Sequence, residues 1–287
     1  MERLLPDQLH DLWQSVVTQE LSAEEFTDLQ ERFTDEYRAL WKQALLLPGH
    51  QDLQDSLLAE IGDYEGCLDR SELRRRCQQA VAHVRQEWQE QGVNPDDRGA
   101  VERFYDFSRA MLYELMWWHT LSEDASPLAY VTAMQFARQQ ECRQYLDFGS
   151  GVGSGAILFA RHGFRVTLAD ISSRLLAFSR WRIEQRELSA DYVDLNASPL
   201  PGQAFDLITA MDVFEHLIDP PGVVEQLHAA LKPGGFLFAR IAAEVDEDRP
   251  QHIVQDFEPT FERLRSLGFL EVWRDEWLWG HRVYQRA

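Results

Sequence analysis

The residues best suited to chemistry are four glycines that follow a short apolar run and directly precede a predicted helix. They lie in the segment Tyr145-Leu-Asp-Phe-Gly-Ser-Gly-Val-Gly-Ser-Gly155. Glycine has no Cβ, so the chain can turn sharply here and a ligand can approach the backbone closely. A helix that begins just afterwards presents free N–H groups to a carboxylate or a phosphate. The segment therefore predicts a ligand-binding turn between a strand and a helix.

Two acidic residues at the ends of the next predicted strands narrow the choice of ligand. Asp170 ends the second strand, where a carboxylate can accept both hydroxyls of a ribose, although it could instead cap the following helix. Asp194 ends the third strand, where it could meet an exocyclic amine of adenine or remain a solvated loop residue. Ligands of open α/β sheets bind at the carboxyl ends of the strands, so these positions favour a ligand that contains ribose and adenine.

The order of these motifs resembles class I S-adenosylmethionine-dependent methyltransferases, and one Glu-His pair resembles their ubiquinone-type branch. The resemblance rests on four ordered segments, which are Asp147-x-Gly149-x-Gly151-x-Gly153, Asp170, Phe205-Asp-Leu-Ile-Thr-Ala-Met-Asp-Val-Phe-Glu-His-Leu217 and Leu231-Lys-Pro-Gly-Gly235. A closing hairpin fits the seventh, antiparallel strand of that family. The resemblance covers roughly residues 140–287, does not extend to the helical first part and names no substrate.

The resemblance implies that the methionine part of S-adenosylmethionine lies at the glycine-rich turn. The residues whose backbone would contact it are Gly149, Ser150, Gly151 and Gly153. Asp147 would help to hold the amino group of the cofactor, and Met211 and Asp212 would line the methionine side. The product of methyl transfer would be S-adenosylhomocysteine.

The resemblance also implies a site for the adenosine part. Asp170 would bind the ribose, with Ile171 packed nearby. Asp194 and Leu195 would border the adenine.

Three histidines are candidates for a general base. Methyl transfer is an in-line displacement at a sulfonium carbon, so the enzyme mainly aligns the acceptor, and a base is needed only where the acceptor must lose a proton. His216 follows the fourth strand, His252 lies in the loop after the fifth, and His119 lies on a helix beside Trp117 and Trp118. For each of them, hydrogen bonding or packing within the scaffold is the alternative.

The charge balance argues against polyanionic partners. The 287 residues contain 28 Lys and Arg against 48 Asp and Glu, which gives a formal net charge of −20. Nucleic acids and anionic membrane surfaces both attract Lys and Arg, so both would repel this chain on average. We therefore predict a small-molecule substrate, with neither nucleic acid nor membrane as a partner.

The cysteines and apolar runs indicate the compartment. Cys67, Cys77 and Cys142 form no Cys-x-x-Cys pair, which suits a reducing compartment and predicts no metal site. No apolar run reaches the roughly 18 residues of a membrane span, and the N-terminal residues do not resemble a signal peptide. The prediction is a cytoplasmic protein.

The pattern of apolar residues and glycines divides the chain into two predicted domains. Residues 1–140 are predicted to be an all-helical domain and residues 141–287 to be the cofactor-binding domain. Short apolar runs alternate with helical segments in the second part, which predicts an α/β fold. With the family resemblance, the expectation is a seven-stranded, doubly wound, Rossmann-like sheet. The predicted strands are 144–148, 165–171, 192–195, 205–212, 236–241, 269–279 and 282–286.

Spacing and capping signals predict four long helices in the first part. Ser22 and Glu25 have the form of a capping box, which begins a helix that Pro48 can end. The others span Glu65–Gln91, Asp96–Leu121 and a segment from Ser126 toward Arg138. On the Asp96–Leu121 helix, a stripe of apolar residues at helical spacing favours burial between two layers; its members are Phe104, Phe107, Met111, Leu115 and Trp118.

The leading hypothesis is a methyltransferase that acts on an oxygen or nitrogen of a small molecule, with the helical domain covering the acceptor pocket. One alternative is an NAD(P)-dependent oxidoreductase, because Gly151-x-Gly153-x-x-Ala156 satisfies a loose dinucleotide fingerprint. Another is a non-catalytic scaffold that binds the cofactor, and a homodimer formed through the helices stays open.

Overall fold

The computed structural model describes residues 7–243, 246–254, 256–275 and 278–287, and a seven-stranded sheet lies at its centre. The strands are β1 (Gln144–Phe148), β2 (Arg165–Asp170), β3 (Asp191–Asp194), β4 (Phe205–Ala210), β5 (Leu231–Ala239), β6 (Phe269–Arg274) and β7 (Arg282–Arg286). Their spatial order is β3-β2-β1-β4-β5-β7-β6, and β7 runs antiparallel to both of its neighbours. The predicted seven-stranded α/β sheet is confirmed. The strand order reverses between β1 and β4, which is where open α/β sheets bind ligands.

Twelve helices surround the sheet in the described part of the chain. Eight precede it, namely α1 (Asp7–Val17), α2 (Ala23–Leu45), α3 (Leu53–Glu65), α4 (Arg70–Gln78), α5 (Ala80–Glu90), α6 (Arg98–Phe107), α7 (Ala110–Trp118) and α8 (Ala129–Gln139). Four alternate with the strands, namely α9 (Ser154–Arg161), α10 (Ser173–Glu184), α11 (Pro220–Ala230) and α12 (Glu258–Ser266). None of the described helices combines the length and apolar character that a bilayer crossing requires.

The central strands are buried on both faces, as their nearly continuous apolar sequences require. Alternate side chains of β1 enter different cores: Tyr145 stacks on Phe159 of α9 with ring centroids 3.6 Å apart, whereas Leu146 packs with the cluster that α11 and α12 cover. Helices α8, α9 and α10 cover the first of these faces. Helix α2 packs on α8 and α9, so the core on this face extends into the helical first part.

Two strand boundaries differ from the prediction by five residues, whereas the other differences, at the ends of β2 to β5, are of one or two residues. Strand β5 begins at Leu231, and an irregularity in its pairing with β4 absorbs the Pro233-Gly234 turn that was expected to precede it. Strand β6 ends at Arg274, because the carboxylate of the next residue, Asp275, accepts two backbone N–H groups. They belong to Leu278, at 3.0 Å, and Trp279, at 2.7 Å. Residues 276 and 277 of the predicted strand lie outside the described ranges.

Of the helices predicted in the first part, the one that begins at the capping box is correct, and the next two are wrong. The capping box of α2 is confirmed, since Glu25 N–H donates to the Ser22 hydroxyl at 3.1 Å. The predicted helix Glu65–Gln91 is wrong: α3 ends at Gly66 in a left-handed conformation, and Asp69 then caps α4.

The predicted helix Asp96–Leu121 is also two helices, α6 and α7, with a break at Ser108. The carboxylate of Glu87, on α5, accepts the Ser108 hydroxyl at 2.6 Å and the N–H of Arg109 at 3.2 Å, so it caps the start of α7. Because of this break the predicted apolar stripe is not continuous, and Phe107 is exposed.

A buried ionic cluster joins the helical part to the glycine-rich turn. Glu60, on α3, accepts hydrogen bonds from Arg182 and Arg186 of the α10 region, each with a shortest N–O distance of 2.6 Å. Arg182 also donates to the carbonyl of Val152 at 2.7 Å and to the hydroxyl of Ser154 at 2.9 Å. The cluster therefore fixes one side of the turn to a helix far from it in sequence.

Candidate active site

The glycine-rich turn adopts conformations that require glycine at three positions. Gly149, Gly151 and Gly153 have φ values of 68°, 50° and 73°, which lie in the left-handed region. A Cβ at Gly149 would lie 2.5 Å from Val213 Cγ2, and one at Gly151 would lie 2.9 Å from Leu115 Cδ1. The turn is therefore closely covered by the loop after β4 and by α7.

Asp170 lies against this turn at the end of β2. Its Oδ2 accepts the N–H of Gly151 at 2.8 Å and its Oδ1 accepts the N–H of Ser172 at 2.8 Å. Burial raises the pKa of Asp170. The alternative that Asp170 caps the next helix is wrong, since the N-cap of α10 is Ser172, whose hydroxyl accepts the N–H of Leu175. Binding of a ribose by Asp170 stays a prediction.

The residues expected around adenine lie together beside Asp170. Asp170 and Asp194 are partners in the β2–β3 register, and the N–H of Leu195 donates to the carbonyl of Asp170 at 3.0 Å. Asn196, which the sequence did not single out, donates to the carbonyl of Ile171 at 2.6 Å. The arrangement is compatible with an adenosine site, and the contacts with the cofactor stay predictions.

A cavity of about 680 Å³ lies between α7 and the carboxyl ends of β1, β4 and β5. The predicted site residues that line it are His119, Gly149, Ser150, Gly151, Met211, Asp212, His216 and His252. The fold therefore brings all three candidate bases to the cavity that the turn also lines. The predicted residues outside its lining are Asp147, Gly153, Asp170, Ile171, Asp194 and Leu195.

Asp147 is fully buried and contacts Tyr130, a lining residue that sequence reasoning missed. Its Oδ1 accepts the hydroxyls of Tyr130 at 3.3 Å and Thr209 at 3.2 Å, and burial raises the pKa of Asp147 to about 7. Tyr130 fits only because residue 155 is glycine, where a Cβ would lie 2.2 Å from its ring. The fourth glycine was the available sequence signal for this contact.

His216 lies in a short 3₁₀ turn (Phe214–His216) after β4, and its ring is held in one orientation. Its Nδ1 lies 2.9 Å from the Tyr105 hydroxyl and 3.0 Å from the carbonyl oxygen of Gln251. A carbonyl only accepts hydrogen bonds, so in the tautomer that satisfies Gln251 the proton is on Nδ1 and Nε2 is the basic atom.

His252 lies beside His216, with ring centroids 4.8 Å apart. Glu215, His216 and His252 each offer a ligand atom, and these atoms lie within 4.8 Å of one another. Two imidazoles and a carboxylate are a donor set that suits divalent transition metals. The prediction of no metal site rested on cysteine spacing alone. The fold brings these three potential ligands together from two separate segments of the chain.

His119 follows α7 and is 3% exposed. Its ring packs against Trp118 and Trp41, at centroid distances of 4.8 and 5.6 Å, and neither ring nitrogen has a hydrogen-bond partner among the described residues. Burial lowers the pKa of His119 to about 3. The imidazole is therefore neutral and offers one donor and one acceptor to the cavity.

A family model described as a methyltransferase domain matches residues 117–278, which is more than half of the chain. The chain belongs to this methyltransferase family. The match begins at the end of α7 and includes the turn, the cavity loops and β6.

The residues of this methyltransferase fit S-adenosylmethionine, the cofactor of the family. The absence of a Cβ at Gly149 and Gly151 leaves room for Val213 and Leu115, and both glycines present their backbone to the cavity. The Ser150 hydroxyl is buried and has no hydrogen-bond partner among the described residues, so it can bind a polar group of the cofactor. Ser150, with the turn backbone, and Asp170 are the residues that would hold the cofactor.

Similar proteins are named for methyl transfer to oxygen. A "Ubiquinone biosynthesis O-methyltransferase" of Coxiella burnetii is 32% identical over 129 residues, covering 42% of this chain and 55% of that protein. One of Methylocella silvestris is 39% identical over 104 residues, covering 36% of this chain and 41% of that protein. The chain thus spans about half the length of the curated relatives it matches.

Solved structures resemble this methyltransferase more distantly. The PH0226 protein of Pyrococcus horikoshii has a TM-score of 0.47 and 16% identity, covering 58% of this chain and 92% of that one. A SAM-dependent methyltransferase of Aquifex aeolicus has a TM-score of 0.43 and 16% identity, covering 66% and 97%. The fold assignment rests on the strand order of this chain.

Two buried or half-buried ion pairs also border the cavity, and sequence reasoning missed both. Arg249 donates to Glu114 Oε1 at 2.7 Å, and Arg240 donates to Asp212 Oδ1 at 3.1 Å. Asp212 itself has a positive φ of 49°, which is unusual for a residue with a side chain. These pairs join α7 and the β4 loop to segments after β5.

Proposed function

We propose that the chain transfers a methyl group from S-adenosylmethionine to a hydroxyl oxygen of a small molecule bound in the cavity. The observation that carries this proposal is that the glycine-rich turn and His119, His216 and His252 line the same cavity. The O-methyltransferase names of the relatives support oxygen over nitrogen.

The protein's main contribution would be alignment. When bound, S-adenosylmethionine supplies a methyl group on a positively charged sulfur, which is a good leaving group. Leu115 of α7 covers Gly151 and lines the cavity, so the acceptor would lie between α7 and the turn. Holding two reactants in line can lower the barrier by several kcal/mol.

His216 would act as the general base. In the tautomer that donates from Nδ1 to the carbonyl of Gln251, Nε2 would accept the acceptor's proton. Tyr105, within 2.9 Å of Nδ1, would help to fix the ring.

The test is transfer of labelled methyl from S-adenosylmethionine to a panel of phenols, measured for the wild type and for His216→Gln. The variant should lose about 10²- to 10⁴-fold in kcat, because a positioned base typically contributes that much. It should bind S-adenosylhomocysteine as the wild type does. His83→Gln, half-buried and outside the cavity, is the matched control.

Each alternative predicts a different result. Stabilisation by NADH but not by S-adenosylhomocysteine would favour an oxidoreductase, and cofactor binding without any methyl product would favour a scaffold. A His216→Gln variant with unchanged kcat would leave the methyl transfer standing and remove the base.

We further propose that residues 1–140 act as the cover of the acceptor pocket, since α7 supplies much of its lining. The net charge of −20 supports the absence of a nucleic-acid partner. The unpaired thiols of Cys67, Cys77 and Cys142 support a cytoplasmic location. Whether the chain forms a homodimer is open to measurement by light scattering.

A further inference from the structure

Two buried side chains of the α7 region present unpaired polar atoms to the cavity. Glu114 is 8% exposed, and its Oε2 has no hydrogen-bond partner among the described residues; neither ring nitrogen of His119 has one. Both residues line the cavity. Buried polar groups in native proteins are nearly always hydrogen-bonded, so unpaired ones at a binding cavity indicate contacts that a ligand completes.

Glu114 in particular requires a donor. Its Oε1 is bound by Arg249 at 2.7 Å; burial raises the pKa of Glu114, the guanidinium opposes that shift, and in its ionised form the carboxylate can only accept hydrogen bonds. The second oxygen therefore matches an N–H or O–H group of a ligand and repels a ligand carboxylate or phosphate.

The charge of the cavity also favours a positive ligand. Its described lining holds five carboxylates, those of Glu114, Glu123, Asp124, Asp212 and Glu215. Against these stand two guanidiniums, and both already pair with carboxylates of the lining. The carboxylates of the lining outnumber its guanidiniums by three; Glu123 and Asp124 are exposed to water, whereas Glu114 and Glu215 are buried, where charges interact more strongly.

Aromatic rings complete the lining. Trp117, Trp118 and Trp279 all border the cavity. The indole N–H of Trp117 donates to Glu123 at 2.8 Å and that of Trp118 to Ser126 at 3.1 Å, so both rings are held in place. Fixed tryptophan rings among carboxylates suit a ligand with an aromatic ring and a positively charged group, because the ring can stack and the charge can make a cation–π contact.

We propose that the acceptor is a hydroxylated arylalkylamine in its protonated form, and that Glu114 binds its ammonium group. This inference rests on the proposed function, and it adds the class of substrate. The ammonium nitrogen keeps its protons and has no lone pair, so it anchors the molecule while a separate hydroxyl receives the methyl group. His119 supplies a further neutral hydrogen bond.

The experiment compares matched ligands on the protein saturated with S-adenosylhomocysteine, by isothermal titration calorimetry. Tyramine, dopamine and 5-hydroxytryptamine are the amines; 4-hydroxyphenylacetate, 3,4-dihydroxyphenylacetate and 5-hydroxyindole-3-acetate are the corresponding acids. We expect at least one amine to bind about tenfold or more tighter than its acid, a difference that calorimetry resolves.

Glu114→Gln keeps the shape of the side chain and removes its charge, so this variant should lose the preference for the amine. Glu114→Asp keeps the charge and should retain most of the preference. Glu90→Gln, at an exposed position on α5, is the control and should bind as the wild type does. Binding of S-adenosylhomocysteine shows that each variant is folded.

Equal or tighter binding of the acids, no measurable binding of any amine, or an unchanged preference in Glu114→Gln would overturn the inference. These outcomes all occur on protein that has bound S-adenosylhomocysteine. Failure of the proposed function is different, because it would appear as no cofactor binding or as no methyl transfer to any acceptor.

Discussion

Gly149 is the residue of the turn where a side chain is least tolerable. It combines a left-handed φ of 68° with a Cβ position 2.5 Å from Val213. Gly163 also has a left-handed φ, of 83°, but has open space around its Cβ position. Comparing Gly149 with Gly163 therefore separates the cost of the left-handed backbone from the cost of the contact between a Cβ and Val213.

Alanine introduced separately at Gly149 and at Gly163 should therefore lower the free energy of unfolding by different amounts. We expect Gly163→Ala to lose about 1 kcal/mol of unfolding free energy from backbone strain alone. Gly149→Ala should lose clearly more and should also weaken binding of S-adenosylhomocysteine by about tenfold or more, because Val213 must move. Chemical denaturation and calorimetry measure the two effects, and equal losses would contradict the role of Val213.

His281 makes the stability depend on pH. It is 1% exposed and packs against Phe238, and burial lowers its pKa to about 3. The unfolded chain takes up a proton below about pH 6.5 while the folded chain does not, so this histidine's contribution to stability is lost as the pH falls from about 6.5 to 3.

His281→Gln should flatten the fall in unfolding free energy by up to ~1.4 kcal/mol per pH unit within that window. The comparison is wild type against variant, by denaturation at several pH values above and below 6. Identical slopes would show that His281 is protonated in the folded protein.

The candidate bases were predictable at the residue scale, because each histidine follows a recognisable strand or helix. Glu114 and Tyr130 were not, because their roles depend on partners distant in sequence, Arg249 at 135 residues and Asp147 at 17. A helix pattern shows which face is apolar but not which polar residue of that helix meets a cavity.

At the scale of elements, prediction succeeded for strands and failed for the interior of the first helices. Strands β1 and β7 match the predicted bounds, because apolar runs bounded by glycine or charge have few alternative structures. The break between α6 and α7 depends on the carboxylate of Glu87, which approaches from another helix. Helix α3, begun by Asp52, was missed for want of a clear apolar periodicity.

Glu87→Gln should destabilise the protein by about 1–2 kcal/mol, since it weakens the cap of α7. Glu90→Gln on the same helix is exposed and should change the stability by less than about 0.5 kcal/mol. Urea denaturation of the two variants checks the difference. Equal stabilities would mean that the Ser108 break is held by packing alone.

At the scale of the whole molecule, the helical part and the sheet share one core and one buried ionic cluster. Glu60 and Arg182 are fully buried, whereas Glu65 and Arg174 form a comparable pair, 3.1 Å apart, at the surface. The seven-stranded sheet and its antiparallel last strand followed from the family resemblance. The cluster did not, because Glu60 lies outside the resembling region.

Removing one partner of a buried ion pair leaves a charge without compensation, so Glu60→Gln should cost about 3–5 kcal/mol. Glu65→Gln should cost no more than about 1 kcal/mol, since its pair is partly exposed. Glu60→Gln should also weaken S-adenosylhomocysteine binding, because Arg182 holds the carbonyl of Val152. Unchanged affinity in a folded variant would show that the turn is rigid without the cluster.

The cluster also sets a rule for engineering this enzyme. If the helical first part covers the acceptor as proposed, exchanging it with that of a homologue is a route to new acceptors, but Glu60 would be removed with it while Arg182 and Arg186 remained. A chimera should therefore keep Glu60, Arg182 and Arg186 from the same parent protein. Otherwise two buried guanidiniums beside the glycine-rich turn would lack their carboxylate partner.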